Sequence, residues 1–407
     1  MFSRRARSFV LKEFEPSVLE GRSLALYIHI PFCRKGCHYC DFYFTPRQSL
    51  MEPYVEALLK EIELYIPLLS IVPIKTVFFG GGTPSWLPEA LWERLWNRLS
   101  SLPTFHPVEV TLEANPEDIT LDRLRFWKDL GITRLSIGIQ SLSPRLLNTL
   151  GRWHTPQQAE QAIQWTAQMD FPSWSVDLMF AIPGQSIEDV KRDIDFISSY
   201  AVPHISFYGL TLEERTVLYK KKLRAKFIPV EDEVYEEAYL FIYDVLLENG
   251  YTWYEISNWA RPNHESIHNW SYWLREPYIG LGPSAHSYIP EQRWWNEKNL
   301  KAYIEALERA DLPPRGGEQL SPTQQAYELW LTRFRTRLGI DKAWVEKEEK
   351  IFAQFLRWQA FGWVEEREGS FRLSARGALL ADSFVRQIIS YSPVCLPSRL
   401  VHSLGEV

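Results

Sequence analysis

The sequence has few cysteines, no long apolar run and no excess of positive charge. Four cysteines among 407 residues are too few for the disulfide framework of a secreted protein. No stretch of 18 apolar residues and no hydrophobic signal core are present, which predicts a soluble, cytoplasmic chain without a membrane span. A formal net charge of -6 provides no field that attracts nucleic acid. The 45% hydrophobic content supports a large core, so we expect a globular protein from a reducing compartment.

Short β-branched or aromatic segments alternate with amphipathic stretches between residues 24 and 257. This alternation predicts repeated βα units, with parallel strands and crossover helices in an α/β fold that forms an open or closed barrel. The predicted strands are 24–30, 76–79, 109–113, 134–139, 175–179, 204–208 and 253–256. The predicted helices between them include 54–64, 89–99, 157–169, 187–199 and 232–248.

Composition divides the chain into three predicted parts: a flexible tail over 1–22, a barrel domain over 23–310 and a smaller domain over 311–407. The tail is rich in Arg and Ser, which leaves open an organelle transit peptide beside a disordered end. Residues 312–317 contain Pro and Gly and are interpreted as a linker. Beyond them, a helix over 324–338 and a hairpin within 361–374 predict a mostly helical, winged-helix-like domain. Its near balance of charge argues against DNA binding.

Chemically reactive residues follow several predicted strands at their carboxyl ends. They are the cysteine loop after Ile30, the glycine run 80–84, Glu113, Gln140 and Asp177. Ligands of parallel α/β folds bind where these strand ends converge. The sequence therefore predicts one shared site built from five segments.

Cys33, Cys37 and Cys40 form a CX3CX2C loop, a spacing expected by chance only about 0.0004 times in such a chain. Three thiolates in one tight loop suit three irons of a [4Fe–4S] cluster, and the missing fourth thiolate leaves one iron open to another ligand. A zinc site with His38 as fourth ligand is the alternative, although that loop is short. The distant Cys395 is interpreted as a structural thiol.

This loop at the end of the first strand resembles that of the radical S-adenosylmethionine (SAM) superfamily. With segments 27–32, 80–84, 136–140 and 177–185, the chain is similar to the coproporphyrinogen dehydrogenase branch, which contains the HemN enzymes and the HemW haem chaperones. The resemblance implies a partial (β/α)6-type barrel with SAM bound at the open iron.

The resemblance also assigns ligand contacts, while no residue is assigned a catalytic role. It places Tyr27, Tyr39 and Glu113 against SAM, and Gly81, Gly82 and Thr83 at its methionine end. Gln140, Arg152, Asp177 and, loosely, Thr211 match positions that contact a second SAM in the HemN enzymes. Two ordinary alternatives stay open: Glu113 as a structural carboxylate and Arg152 as a surface charge.

Two features separate the branches. The motif of the HemN enzymes has a fourth cysteine two residues after the third, and Phe42 occupies that position here. His268 begins a segment that is similar to the HNXXYW element of the HemW branch. His268 is accordingly a candidate haem ligand, with a hydrogen-bonded core histidine as the alternative.

The first hypothesis is a HemW-type chaperone that binds haem and passes it to an acceptor protein, with slow SAM cleavage and with a homodimer left open. The second is an oxygen-independent coproporphyrinogen III oxidase, and the third is a structural iron–sulfur or zinc module.

Overall fold

The computed structural model describes Leu19 and residues 21–391. The predicted tail therefore lies almost wholly outside the described residues, and Cys395 lies outside them as well. Within the described part, one large sheet with flanking helices leads into a smaller C-terminal region with its own sheet.

The large sheet has twelve strands in the order β12-β11-β10-β9-β1-β2-β3-β4-β5-β6-β8-β7. Their bounds are β1 Leu24–Ile30, β2 Ile74–Gly81, β3 Phe105–Ala114, β4 Arg134–Gln140, β5 Ser173–Phe180, β6 His204–Gly209, β7 Thr252–Glu255, β8 Asn258–Ala260, β9 Tyr278–Leu281, β10 His286–Ile289, β11 Gln292–Asn296 and β12 Arg315–Gln319.

Strands β1 to β6 pair in parallel and in sequence order, and β9 pairs in parallel with β1. This confirms the predicted α/β class and its six successive βα units. The seventh predicted strand, 253–256, was expected to be parallel and is not. It forms β7, which pairs antiparallel with β8 because only Ile256 and Ser257 separate the two strands.

Amphipathic helices cover the sheet, and each predicted helical stretch overlaps one of them, although the predictions 157–169 and 324–338 extend past the observed ends at Gln168 and Phe334. The helices are Met51–Leu69, Glu89–Ser100, Leu121–Leu130, Pro144–Leu150, Pro156–Gln168, Ile187–Ser199, Val217–Leu223, Asp232–Glu248, Ile267–Trp273, Leu300–Glu308, Pro322–Phe334, Lys342–Val345, Glu349–Ala360, Ala375–Ala378 and Ala381–Tyr391. Thr155 and Ser186 begin two of them with capping boxes. Their apolar faces bury the aliphatic side chains of β1 to β6 in one continuous core.

The C-terminal region has a second core and a three-stranded sheet. The sheet consists of β13 Ile340–Asp341, β14 Val364–Arg367 and β15 Ser370–Leu373, so the predicted hairpin is present. Aromatic rings fill the core, including Trp330, Phe334, Phe355 and Trp358. Strand β12 begins inside the predicted linker, ends two residues beyond it and pairs with β11, so the large sheet extends beyond residue 310. The division of the chain into domains stays a prediction.

Candidate functional site

The cysteine loop follows β1 and is held by backbone hydrogen bonds at its base. The Thr45 N–H donates to the Pro31 carbonyl at 2.6 Å, and the Cys33 N–H donates to the Thr45 carbonyl at 3.1 Å. The middle of the loop is held as well, because the His38 N–H donates to Leu150 O at 2.8 Å and His38 O accepts from the Leu218 N–H at 2.9 Å. Distant segments of the chain thus hold this loop in place.

A bidentate ion pair adds to these restraints. Arg215 donates from Nε and Nη2 to the two oxygens of Asp41 at 2.9 and 2.7 Å. Asp41 separates Cys40 from Phe42, whose ring is 70% exposed. The segment after β6 is therefore tied to the last cysteine of the loop.

The three thiols are partly buried, and two of them contact polar side chains. The Thr83 hydroxyl donates to Sγ of Cys33 at 3.3 Å, and Arg152 Nη1 donates to Sγ of Cys37 at 3.5 Å. Burial raises the pKa of the Cys33 thiol to about 12 and that of Cys40 to about 11. Thiolates bind iron, so the metal must displace these protons, and the donors from Thr83 and Arg152 stabilise the resulting charge.

His38, the fourth ligand of the zinc alternative, directs its Nδ1–H to the Thr149 carbonyl at 2.9 Å. This hydrogen bond joins the cysteine loop to the helix Pro144–Leu150 and leaves Nε2 as the ring nitrogen that a metal could use.

Arg152 joins the ends of three strands. Its Nη2 donates to the Asn115 Oδ1 at 2.7 Å and to the Gly138 carbonyl at 2.6 Å, and Asn115 Nδ2 donates to the Thr83 hydroxyl at 3.2 Å. The loops after β2, β3 and β4 thus meet beside Cys33 and Cys37. Arg152 belongs to this site, and the surface alternative does not apply.

Gly81 and Gly82 allow a close approach between β2 and the start of the cysteine loop. Gly81 has φ of 107°, and a Cβ there would lie 2.4 Å from the His29 ring. At Gly82 a Cβ would lie 2.7 Å from the Phe32 backbone nitrogen. The sequence suggested glycine for an approach to SAM, whereas the described contacts already exclude a side chain through protein packing.

Two buried acidic side chains, Glu113 and Asp177, interact electrostatically near the strand ends. Burial, reinforced by the charge of Asp177, raises the pKa of Glu113 to about 8, while the Gly81 N–H donates to its Oε2 at 3.0 Å. Burial also raises the pKa of Asp177, which accepts from the Ser136 hydroxyl at 2.7 Å. Asp177 Oδ1 and Arg152 Nε are buried and have no hydrogen-bond partner among the described residues. Unpaired acidic and basic atoms of this kind fit a ligand that carries both an ammonium and a carboxylate, as SAM does.

Four other predicted SAM contacts, Tyr27, Tyr39, Gln140 and Thr211, differ in their burial and in their hydrogen-bond partners. The Tyr27 hydroxyl donates to Nδ1 of the buried His29 at 3.0 Å, and Tyr39 packs against an apolar cluster with Leu146 and Leu150. Gln140 is buried at a bulge with φ of 67° at the end of β4. Thr211 is exposed, and its hydroxyl donates to the Gly209 carbonyl at 3.5 Å, so the structure does not join Thr211 to the Arg152 network.

His268 is fully buried, and both nitrogens of its ring have partners. Nδ1 lies 2.8 Å from the Thr76 hydroxyl, Nε2 lies 2.8 Å from the Tyr272 hydroxyl, and the ring packs on Phe78. Burial lowers the pKa of the imidazole to about 3. A haem iron could bind this ring only after the loss of a hydrogen bond, so the arrangement favours the core alternative that the sequence left open.

Sequence reasoning did not single out Asn115 and His29. Asn115 bridges Thr83 and Arg152, and the His29 ring accepts from Tyr27 while its Nε2–H donates to the Tyr43 carbonyl at 2.9 Å. Asn115 lies two residues after Glu113 and His29 lies two residues after Tyr27. This closeness in sequence to predicted site residues is the feature that could have identified them.

Comparisons with known proteins agree with this architecture. The model of the radical SAM superfamily matches residues 27–197. The solved structure of coproporphyrinogen III oxidase (HemN) from Escherichia coli superimposes with a TM-score of 0.75 over 90% of this chain and 89% of that one, at 23% identity. The chain therefore has the radical SAM fold.

Curated relatives define the family more narrowly. The chain is 35% identical to the heme chaperone HemW of Mycobacterium tuberculosis over 91% of its own length and 96% of that protein. It is 33% identical to the heme chaperone HemW of Bacillus subtilis over 88% of its length and 96% of that protein. The chain belongs to the HemW heme chaperone family.

Among residues 21–391, none of the helices is long and apolar enough to cross a membrane.

Proposed function

We propose that this protein is a haem chaperone that binds haem together with a SAM-ligated [4Fe–4S] cluster and delivers the haem to an acceptor protein. The observation that carries the proposal is the sequence identity of this chain to two HemW proteins, 35% and 33%, over 96% of the length of each. In this proposal the chain acts in the cytoplasm and does not bind nucleic acid. A homodimer is one further arrangement to test.

Cys33, Cys37 and Cys40 would hold three irons, and SAM would bind the fourth. Tyr27, Tyr39, Gly81, Gly82, Thr83 and Glu113 would contact SAM, with Gln140, Arg152, Asp177 and Thr211 as the outer set. When bound, the cluster supplies an electron to the sulfonium of SAM. The protein's own part is to orient SAM by charge: Glu113 and Asp177 attract its cationic groups, and Arg152 attracts its carboxylate. We expect slow release of 5′-deoxyadenosine from the reduced protein.

The second candidate is an oxygen-independent coproporphyrinogen III oxidase, which the shared fold with HemN allows. Phe42 argues against this second function, because it occupies the position of the extra cysteine in the motif of the HemN enzymes. With Phe at position 42 there is no thiolate at that edge of the loop, and the side chain there is 70% exposed.

The decisive experiment uses full-length, anaerobically reconstituted protein. Haem titration followed by absorbance should give saturable binding, and incubation with SAM, reductant and coproporphyrinogen should give no protoporphyrinogen. Conversion at enzymatic rates would overturn the chaperone proposal, as would an absence of haem binding.

A further inference from the structure

A cavity of about 670 Å³ lies between the large sheet and the C-terminal helices. The ends of β5 and β6 form one wall, and the helices Pro322–Phe334 and Ala381–Tyr391 form the opposite wall. Small-molecule sites commonly have volumes of about 300–1,000 Å³. The cavity is therefore large enough for a ligand of tetrapyrrole size.

Aromatic side chains dominate the wall that faces the C-terminal helices. They include Phe180, Tyr208, Tyr235, Tyr239, Tyr272 and Trp273. Tyr208 is 42% exposed although it belongs to β6, an interior strand of the sheet, because its ring faces this space. Planar rings with polar edges suit a large, flat, mostly apolar ligand.

Charge in the cavity is confined to three residues of its described lining: Glu255, Arg335 and Asp382. Glu255 is buried beside Asn258, which donates to it, and burial raises the pKa of its carboxyl to about 8. Near neutral pH this carboxyl is mostly protonated. Arg335 forms an ion pair with Asp382, and its guanidinium retains further N–H donors that can bind a ligand carboxylate.

Electrostatic interactions link the cavity to two of the predicted SAM contacts. Burial, together with the negative charge of Asp177, raises the pKa of Tyr208, and burial, together with Tyr278 and Glu113, raises the pKa of Tyr272. Tyr272 stands between the cavity and the buried His268, whose Nε2 lies 2.8 Å from the tyrosine hydroxyl. His268 thus orients a cavity-lining ring without reaching the cavity itself.

We propose that this cavity holds the haem, with its ring against the aromatic wall and a propionate carboxylate on Arg335. His268 is then a positioning residue that acts through Tyr272. The C-terminal region contributes one wall of the haem site, so both parts of the chain are needed for binding. This inference rests on the proposed function, and it adds the location and the contacts of the ligand.

Two variants of the helix Pro322–Phe334 test the location. Thr332→Trp fills the cavity, whereas Thr323→Trp places the same ring on the same helix away from it. With full-length reconstituted protein, haem titration should show at least tenfold weaker binding for Thr332→Trp. Thr323→Trp should bind within twofold of wild type.

Arg335→Gln tests the carboxylate contact. This test is independent of whether Thr332→Trp folds. It should weaken the binding of haem at least tenfold and leave the binding of haem dimethyl ester, whose propionates are uncharged, within twofold of wild type. If wild type binds haem and either Thr332→Trp or Arg335→Gln binds it equally well, the cavity assignment is wrong while the proposed function stands. If wild type binds no haem, the proposed function itself fails.

Discussion

The Arg152 guanidinium lies 3.5 Å from Sγ of Cys37 and is held in place by the Asn115 side chain and the Gly138 carbonyl. A fixed positive charge beside a ligating sulfur stabilises the electron-rich, reduced form of a cluster. This relationship links the ends of β3 and β4 to the redox behaviour of the cysteine loop.

Removal of that charge should lower the reduction potential of the cluster. For Arg152→Gln we expect a decrease of roughly 50–150 mV, from a unit charge near the cluster at an effective dielectric constant of about 20. Arg145→Gln, which removes an exposed arginine paired with Asp189, is the matched control. Anaerobic redox titration by electron paramagnetic resonance measures both, and an unchanged potential in Arg152→Gln would refute this role.

Each of the cysteine variants Cys33→Ala, Cys37→Ala and Cys40→Ala should lose the [4Fe–4S] cluster, because each removes the sole thiolate of one iron. Cys395→Ala should keep it. Iron and sulfide are counted after anaerobic reconstitution, and full iron content in Cys37→Ala would contradict the assignment.

Affinity for SAM should rise with pH between about 6.5 and 8.5. The pKa of the Glu113 carboxyl is raised to about 8, so this group is mostly protonated below that pH and becomes a carboxylate above it. An anion there attracts the cationic ligand, and the gain is up to roughly tenfold. Asp177, Tyr27 and Tyr272 face the same carboxyl, and the charge of Asp177 opposes its ionisation.

The variant Glu113→Gln isolates this effect from titration of the ligand's own amino group. It should bind SAM more weakly and with a flatter pH profile in calorimetric titrations, whereas Glu89→Gln, at an exposed helix start, should behave as wild type. The same pH profile in Glu113→Gln and wild type would rule Glu113 out.

His268→Ala should destabilise the fold by about 2–4 kcal/mol, because it leaves a cavity and removes partners from Thr76 and Tyr272. His106→Ala, at an exposed position of β3, should change stability by less than about 0.5 kcal/mol. Chemical denaturation measures the difference.

The absorbance spectrum of bound haem distinguishes a positioning role of His268 from direct ligation of the haem iron by His268. Tyr272→Phe keeps the imidazole and removes its hydroxyl partner, so it should alter the Soret band in the same direction as His268→Ala. A large change in His268→Ala with a wild-type spectrum in Tyr272→Phe would make His268 the ligand.

The parallel half of the fold was predictable because β1 to β6 are buried, apolar and separated by amphipathic helices. Strands β9 to β12 were not, since each has only four or five residues and shows too short an alternation of apolar and polar residues to indicate a strand. The contacts of His268 could not be predicted either, because its hydrogen-bond partner Thr76 lies 192 residues away in the chain. The spacing of the cysteines was local and was therefore evident, whereas the cavity at Thr332 depends on the docking of two distant segments.

The backbone hydrogen bonds of the cysteine loop run to Thr45, Leu150 and Leu218. The positions of the three thiols therefore depend on segments that lie far from them in the chain. A sequence change near Leu218 can alter the cysteine loop while every cysteine stays in place, so natural variation outside the motif can tune the cluster site.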